Sequence, residues 1–136
     1  QGDVIIAADT IVVCGEVLGK PKDAADAARM LRLLSGREHE VMTGLCVRKG
    51  ERVESLVSRS SLHFRKLSER EIAAYIATNE PMDKAGAYGI QGRAGAFCER
   101  LTGDYFSVMG LPVCSLTRLL RRFGVRVLGE SEEGEA

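Results

Sequence analysis

The chain predicts an α/β domain, with a mixed, elongated sheet and flanking helices, on three observations. Short β-branched runs alternate with amphipathic stretches of helical period, and two long strand patterns are joined by a polar, glycine-containing connection. The length of 136 residues suits one domain and is too short for two. Lys+Arg and Asp+Glu both number 19, so no global field holds a polyanion: nucleic acid is not an expected partner, and any phosphate must be bound locally. No apolar run approaches the ~20 residues that span a bilayer and no leader pattern opens the chain, which predicts a cytoplasmic protein without a membrane partner.

Val4 to Ala8 is a continuous apolar run, as in a strand covered on both faces, ending at Asp9-Thr10 before a second β-branched run, Ile11 to Val13. After the turn Cys14-Gly15-Glu16, residues 17–21 lead into a helix. Asp23 is its expected N-cap, Ala24, Ala27, Ala28, Leu31 and Leu34 form its apolar face, and Gly36 ends it. Glu40 to Arg48 and Val53 to Arg65 read as long strands of one hairpin, turned at Lys49-Gly50-Glu51-Arg52. Ser68-Glu69-Arg70-Glu71 has the capping-box pattern, in which hydroxyl and carboxylate each satisfy an orphan amide, and the helix it opens is expected to stop at Pro81. Met82 to Gly95 holds four glycines, too many for an element interior. Ala96 to Leu101 and Tyr105 to Met109 read as strands around a Thr102-Gly103-Asp104 turn. Pro112 then starts a last helix, with Leu116, Leu119, Leu120 and Phe123 on one face and Gly124 at its end. The predicted domain is 1–128, and 129–136, with four glutamates and no large apolar side chain, is expected to be an acidic, disordered tail.

Four cysteines, Cys14, Cys46, Cys98 and Cys114, stand far apart with no C-x-x-C pair and no histidine at zinc spacing, so buried free thiols are expected. Asp9, expected at the end or bend of a buried strand, needs a cation, a donor or water. It is either a general base or metal ligand at the mouth of the sheet, or a turn aspartate. Lys20 in Gly19-Lys20-Pro21 is a cation on a rigid turn ahead of a helix, suited to phosphate oxygens or simply to the surface. Asn79 to Gly92 is the densest polar loop. Its two carboxylates, ammonium, phenol and two carboxamides ride on a backbone that glycine frees to approach a ligand. No P-loop, dinucleotide fingerprint or nucleophile elbow is present, and His39 and His63 read as sheet or surface residues. Arg118, Arg121 and Arg122 suit a helix C-terminus and need no nucleic acid.

Taken together, Ala8-Asp9-Thr10-Ile11-Val12, Gly19-Lys20-Pro21, Leu34-Ser35-Gly36-Arg37-Glu38-His39, Thr43-Gly44, Glu80-Pro81-Met82-Asp83-Lys84-Ala85-Gly86-Ala87-Tyr88-Gly89-Ile90-Gln91-Gly92, Gly103-Asp104-Tyr105 and Val108 to Pro112 resemble the Maf family of nucleoside triphosphate pyrophosphatases. These stretches stand in family order over about residues 4–124, and the long loop motif is highly specific. The resemblance implies an inosine triphosphate pyrophosphatase-like fold, a homodimer, and cleavage of a nucleoside triphosphate to monophosphate and pyrophosphate with Mg²⁺ or Mn²⁺. It implies that Asp9 is the proton acceptor and metal contact, that Thr10 and Gln91 serve substrate choice, and that Lys20 meets phosphate. Glu80, Asp83 and Lys84 belong to the motif, Lys84 as a further substrate contact and the two carboxylates in support. Asp83-Lys84 with Gly89-Ile90-Gln91-Gly92 looks like the branch acting on dTTP and UTP in a house-cleaning role.

The family opens with a strand and an S-x-S-P-R-R turn, whereas eight residues precede Asp9 here, so the N-terminal part of the domain is expected to be missing and a sheet edge open. The competing expectation is a non-catalytic domain of this family that binds a nucleotide or a partner and is linked to septum formation.

Overall fold

The computed structural model describes residues 2–129. The expected tail falls, beyond Gly129, outside the described residues. Five strands, β1 (Val4–Val13), β2 (Val17–Leu18), β3 (Glu38–Lys49), β4 (Arg52–Phe64) and β5 (Cys98–Thr102), form one sheet in the order β2-β1-β3-β4-β5. Four helices accompany it: α1 (Ala24–Leu34), α2 (Glu69–Ala77), α3 (Tyr105–Met109) and α4 (Val113–Arg122). The α/β class and the elongated sheet with flanking helices are as the sequence predicts. The mixture of strand directions is not: every pairing among the described strands is antiparallel. The α1 crossover joins β2 to β3, which run the same way but on opposite sides of β1, so no neighbouring pair is parallel.

The alternation of β3 and β4 shows how the sheet is used. His39, Val41, Thr43, Leu45 and Val47 of β3 are buried while their neighbours are not, and Ser60, Leu62 and Phe64 of β4 lie across from them on the same face. One end of this face carries α1, α2 and the 80–97 loop, with Leu31, Leu34, Phe64, Ile72, Tyr75 and Phe97 in a common core. The other end carries α4, whose Leu116, Leu119, Leu120 and Phe123 cover Leu45 and Val47. Between the two clusters lie buried hydroxyls. Thr43 Oγ1 donates to the Ser107 carbonyl (2.7 Å), and Ser60 Oγ accepts from the Asp104 amide (3.0 Å), so α3 is tied down across a polar seam.

Local signals placed most elements. Asp23 caps α1 by accepting from the Asp26 amide (2.8 Å), and the Ser68–Glu71 capping box of α2 is complete in both directions. The hairpin turns at Gly50, with φ +62° and Lys49 opposite Arg52. α4 has the expected face, with Pro112 at its N-cap and Gly124 beyond its end at φ +84°.

Several expectations are corrected. β1 is one unbroken strand and is not covered on both faces: β2 touches only Val12 and Val13, so the rest of its outer edge is open, with Ile5 58% and Ile6 44% exposed. Asp9 therefore sits mid-strand on an exposed edge, at neither an end nor a bend. Tyr105–Met109 is a helix instead of a strand, because Asp104 caps it (Oδ1 accepting from the Phe106 amide, 3.0 Å) and Gly110 ends it at φ +127°. β5 begins at Cys98, Ala96 and Phe97 belonging to a 3₁₀ turn. α2 ends at Ala77, ahead of Pro81, with Thr78 as its C-cap; Asn79 then takes a left-handed φ of +66°, and Pro81 lies inside the 3₁₀ turn Glu80–Asp83. All four thiols are free, but of them only Cys14 is buried, and Cys114 is exposed. No helix among the described residues is long and apolar enough to cross a membrane.

Candidate active site

A cleft of about 350 Å³ opens where the polar seam of the sheet meets the 80–97 loop. Val12, Val41 and Tyr88 form its apolar floor. The open edge of β1 brings Asp9 and Thr10, the turn after β2 brings Lys20, the loop brings Lys84 and Gln91, and the end of α3 closes the opposite wall. Asp9 and Gln91, 82 positions apart in sequence, thus line one cleft.

Asp9 and Thr10 owe their poses to β1. Thr10 stands directly opposite Thr43 in the ladder, with their hydroxyls 2.8 Å apart, and its amide donates to Asp9 Oδ1 (3.0 Å). Exposure on the edge leaves the Asp9 carboxylate in contact with water, so it bears little desolvation cost. Asp9 is the one acidic residue lining the cleft, and no three His, Cys, Asp or Glu side chains gather as a metal nest among the described residues. A single carboxylate suits a cation that arrives on phosphate oxygens and keeps several waters.

The loop is braced by a hydrogen-bond chain that sequence reasoning missed. The Gly89 amide donates to the Tyr75 hydroxyl (3.1 Å), Tyr75 donates to Glu80 Oε2 (2.9 Å), and the same oxygen accepts from the Arg93 amide (3.0 Å). Burial, with the Glu80 carboxylate adding to it, raises the Tyr75 phenol well above its usual range and keeps it a donor. Glu80 does not line the cleft: it latches both ends of the loop to α2. Asp83 also stays outside, 81% exposed, paired with Lys84 Nζ (3.0 Å), whose ammonium holds its carboxyl below the usual range. Lys84 further donates to the Glu80 carbonyl (3.2 Å).

The loop glycines serve a different purpose from the one expected. A Cβ on Gly89 would meet Lys84 Cε at 2.6 Å, and one on Gly92 would collide with the Glu80 carboxylate, so these glycines admit the protein's own side chains instead of a ligand. Beneath the floor, His39 Nε2 lies 2.7 Å from the Tyr88 hydroxyl while its Nδ1 is buried without a protein partner. Desolvation pushes the His39 imidazole down to about 4, which keeps it neutral. Neither Tyr75 nor His39 shows a pattern in sequence. Each is a polar side chain at a core position of its element.

Residues 1–123 match the family described as Maf-like protein. The chain belongs to this Maf family. This Maf domain is 50% identical over 123 residues to the dTTP/UTP pyrophosphatase of Bacillus pumilus, covering 90% of the chain and 65% of that protein. The protein of the same name from Pasteurella multocida is 50% identical over 123 residues, of which the match covers 62%. That from Anaeromyxobacter dehalogenans is 51% identical over 129 residues, 66% of its length. The chain thus spans about two thirds or slightly less of these relatives.

Proposed function

We propose that this Maf domain forms most of a nucleoside triphosphate pyrophosphatase that cleaves dTTP and UTP to the monophosphate and pyrophosphate. The observation that carries the reading is the convergence of Asp9, Thr10, Lys20, Lys84 and Gln91 on one cleft, in a chain 50% identical to proteins named for that activity. A triphosphate brings about four negative charges, and Lys20 and Lys84 are two cations on the cleft wall to take part of it. A Mg²⁺ or Mn²⁺ ion held by Asp9 and the phosphate oxygens supplies further charge neutralisation when bound. Asp9, on its exposed edge, orients and deprotonates the water that attacks the α-phosphorus; the α–β anhydride bond breaks and pyrophosphate leaves. Gln91, with one acceptor and two amide hydrogens at the rim, pairs with the carbonyl and imide edge of uracil or thymine. Glu80 and Asp83 act in support, through the loop latch and through Lys84.

The proposed setting is a cytoplasmic homodimer in a house-cleaning role, which the resemblance supports. The deciding experiment is pyrophosphate release from dTTP, UTP, CTP and GTP with Mg²⁺ or Mn²⁺, for the chain and for Asp9→Asn. Turnover of dTTP and UTP is expected to fall by about 10²- to 10⁴-fold in the variant. Unchanged turnover in Asp9→Asn would remove Asp9 from the mechanism, and no turnover by the parent chain would leave a nucleotide- or partner-binding domain.

A further inference from the structure

The hydroxyls of Thr10 and Thr43 and the carbonyl of Ser107 form a line with a fixed direction. Thr43 is fully buried, and its Oγ1 lies 2.7 Å from the Ser107 carbonyl oxygen and 2.8 Å from Thr10 Oγ1. A carbonyl only accepts, so the single hydroxyl proton of Thr43 is committed to Ser107. The bond between the two threonines is then made with the proton of Thr10, since Thr43 has none left to give. Thr10 lines the cleft with its proton turned inward, and what it offers a ligand is lone pairs.

We propose that Thr43 is a positioning residue that fixes Thr10 as a hydrogen-bond acceptor, and that this polarity selects the imide N3–H of uracil or thymine over cytosine. The inference rests on the pyrimidine reading of the cleft given above. Gln91 alone cannot make this choice. Its carboxamide presents a donor and an acceptor side by side, and a half-turn exchanges them, so it pairs equally well with the carbonyl and imide edge of uracil or with the amino and N3 edge of cytosine. A group of locked polarity lining the same cleft, Thr10, breaks that symmetry. With Thr10 accepting from N3–H, the Gln91 amino group is left for O4. Cytosine would instead set the N3 lone pair against the lone pairs of Thr10, which leaves both acceptors without a donor and weakens binding. Ser107 belongs to α3, which closes the cleft through Val108 to Gly110, so the same line holds that wall in register with β1.

The test compares kcat/KM for UTP and CTP, and calorimetric binding of UMP and CMP, in the parent chain and three variants. Thr43→Val keeps the shape but removes the acceptor from Thr10, freeing its proton. The UTP-to-CTP preference is expected to shrink about tenfold through a gain in CTP binding, with the same change in the UMP-to-CMP ratio. Thr43→Ser retains the hydroxyl and is expected to keep the parent preference. Thr10→Val, at a less buried site, is expected to lose preference in the opposite way, by weakening UMP and not by strengthening CMP. An unchanged ratio in Thr43→Val, or equal damage from Thr43→Ser, would overturn the proposal. A parent chain that releases no pyrophosphate but whose UMP preference collapses in Thr43→Val would refute the hydrolytic reading and support the proposal. Parent binding that does not distinguish UMP from CMP would overturn the proposal.

Discussion

Gly89 lies against the stem of Lys84, and that contact shows how a single residue shapes this cleft. An added Cβ would stand 2.6 Å from Lys84 Cε and 2.8 Å from Cδ, inside any permitted contact, but both atoms belong to the end of a flexible side chain. The strain is relieved by moving the ammonium, not the backbone. Gly89→Ala is therefore expected to fold with a melting temperature within a few degrees of the parent and to raise KM for dTTP about five- to tenfold, with kcat less affected. Steady-state kinetics beside a thermal melt checks this, and an unchanged KM would take Lys84 out of substrate binding. At this scale the site was partly legible. Asp9, Lys20 and the loop that holds Lys84 and Gln91 stood out as candidates from the residues alone, the choice among their readings and the inclusion of Thr10 came from the resemblance, and the structure brings all five to one cleft. Thr43 and His39 stood within matched stretches without a functional role, and Tyr75 did not stand out at all, because each occupies a core position where period alone predicts an apolar side chain, and only the fold reveals the hydrogen bond that admits it there.

Elements with chemistry at both ends were the readable ones. α1 and α2 carry caps that are explicit in sequence, and the β3–β4 hairpin carries a turn glycine between two alternating strands. α3 shows the opposite case: Tyr105-Phe106-Ser107-Val108 is β-prone by composition, yet Asp104 and Gly110 enclose a space of one helical turn, and capping wins over propensity in five residues. The exposure of β1 at Ile5 and Ile6 was not legible, since an apolar run alone does not say whether a strand's faces are covered. The capping box of α2 gives a quantitative expectation at this scale. Ser68 Oγ accepts from the Glu71 amide (3.0 Å), and Glu71 returns a bond to the Ser68 amide (3.0 Å) while also pairing with Arg65. Ser68→Ala should lower unfolding stability by about 1 kcal/mol, seen as a shift of the urea midpoint at constant m-value. A shift of the slope instead would mean that α2 detaches before the rest unfolds, and with it the Tyr75 anchor of the cleft loop.

For the molecule as a whole, two sets of groups make its stability fall with acid, in two successive windows that overlap near pH 4. The first is His39, 4% exposed and packed edge-on against Phe64 and Tyr88, where burial lowers the imidazole from 6.5 to about 4; nearby Glu38 opposes that shift and His63 adds to it. Between these two values the unfolded chain binds a proton that the folded chain refuses, so stability is complete above about 6.5 and declines as pH falls toward about 4. The shift corresponds to roughly 3 kcal/mol at the low end of that window. The second set is the surface carboxylates held by ion pairs or by a hydroxyl. Glu71, held by Arg65 and by the Ser68 amide, is lowered from 4.5 to about 2, and Glu38, Glu54 and Glu69 are lowered through bonds to Ser61, Arg122 and Arg32. The Glu71 contribution is present above about 4.5 and is lost as pH falls toward about 2, the other three carboxylates act in the same direction, and this second loss begins before the first is complete. Urea unfolding measured from pH 8 to pH 3 is expected to show a plateau, a decline beginning near pH 6.5, and a further decline below pH 4.5. The double variant His39→Phe with Tyr88→Phe removes both partners of the buried hydrogen bond, leaving neither group unsatisfied. It is expected to abolish the upper decline and keep the lower one. A decline between pH 6.5 and 4.5 that survives in the double variant would place its origin in another titrating group and remove His39 as the cause.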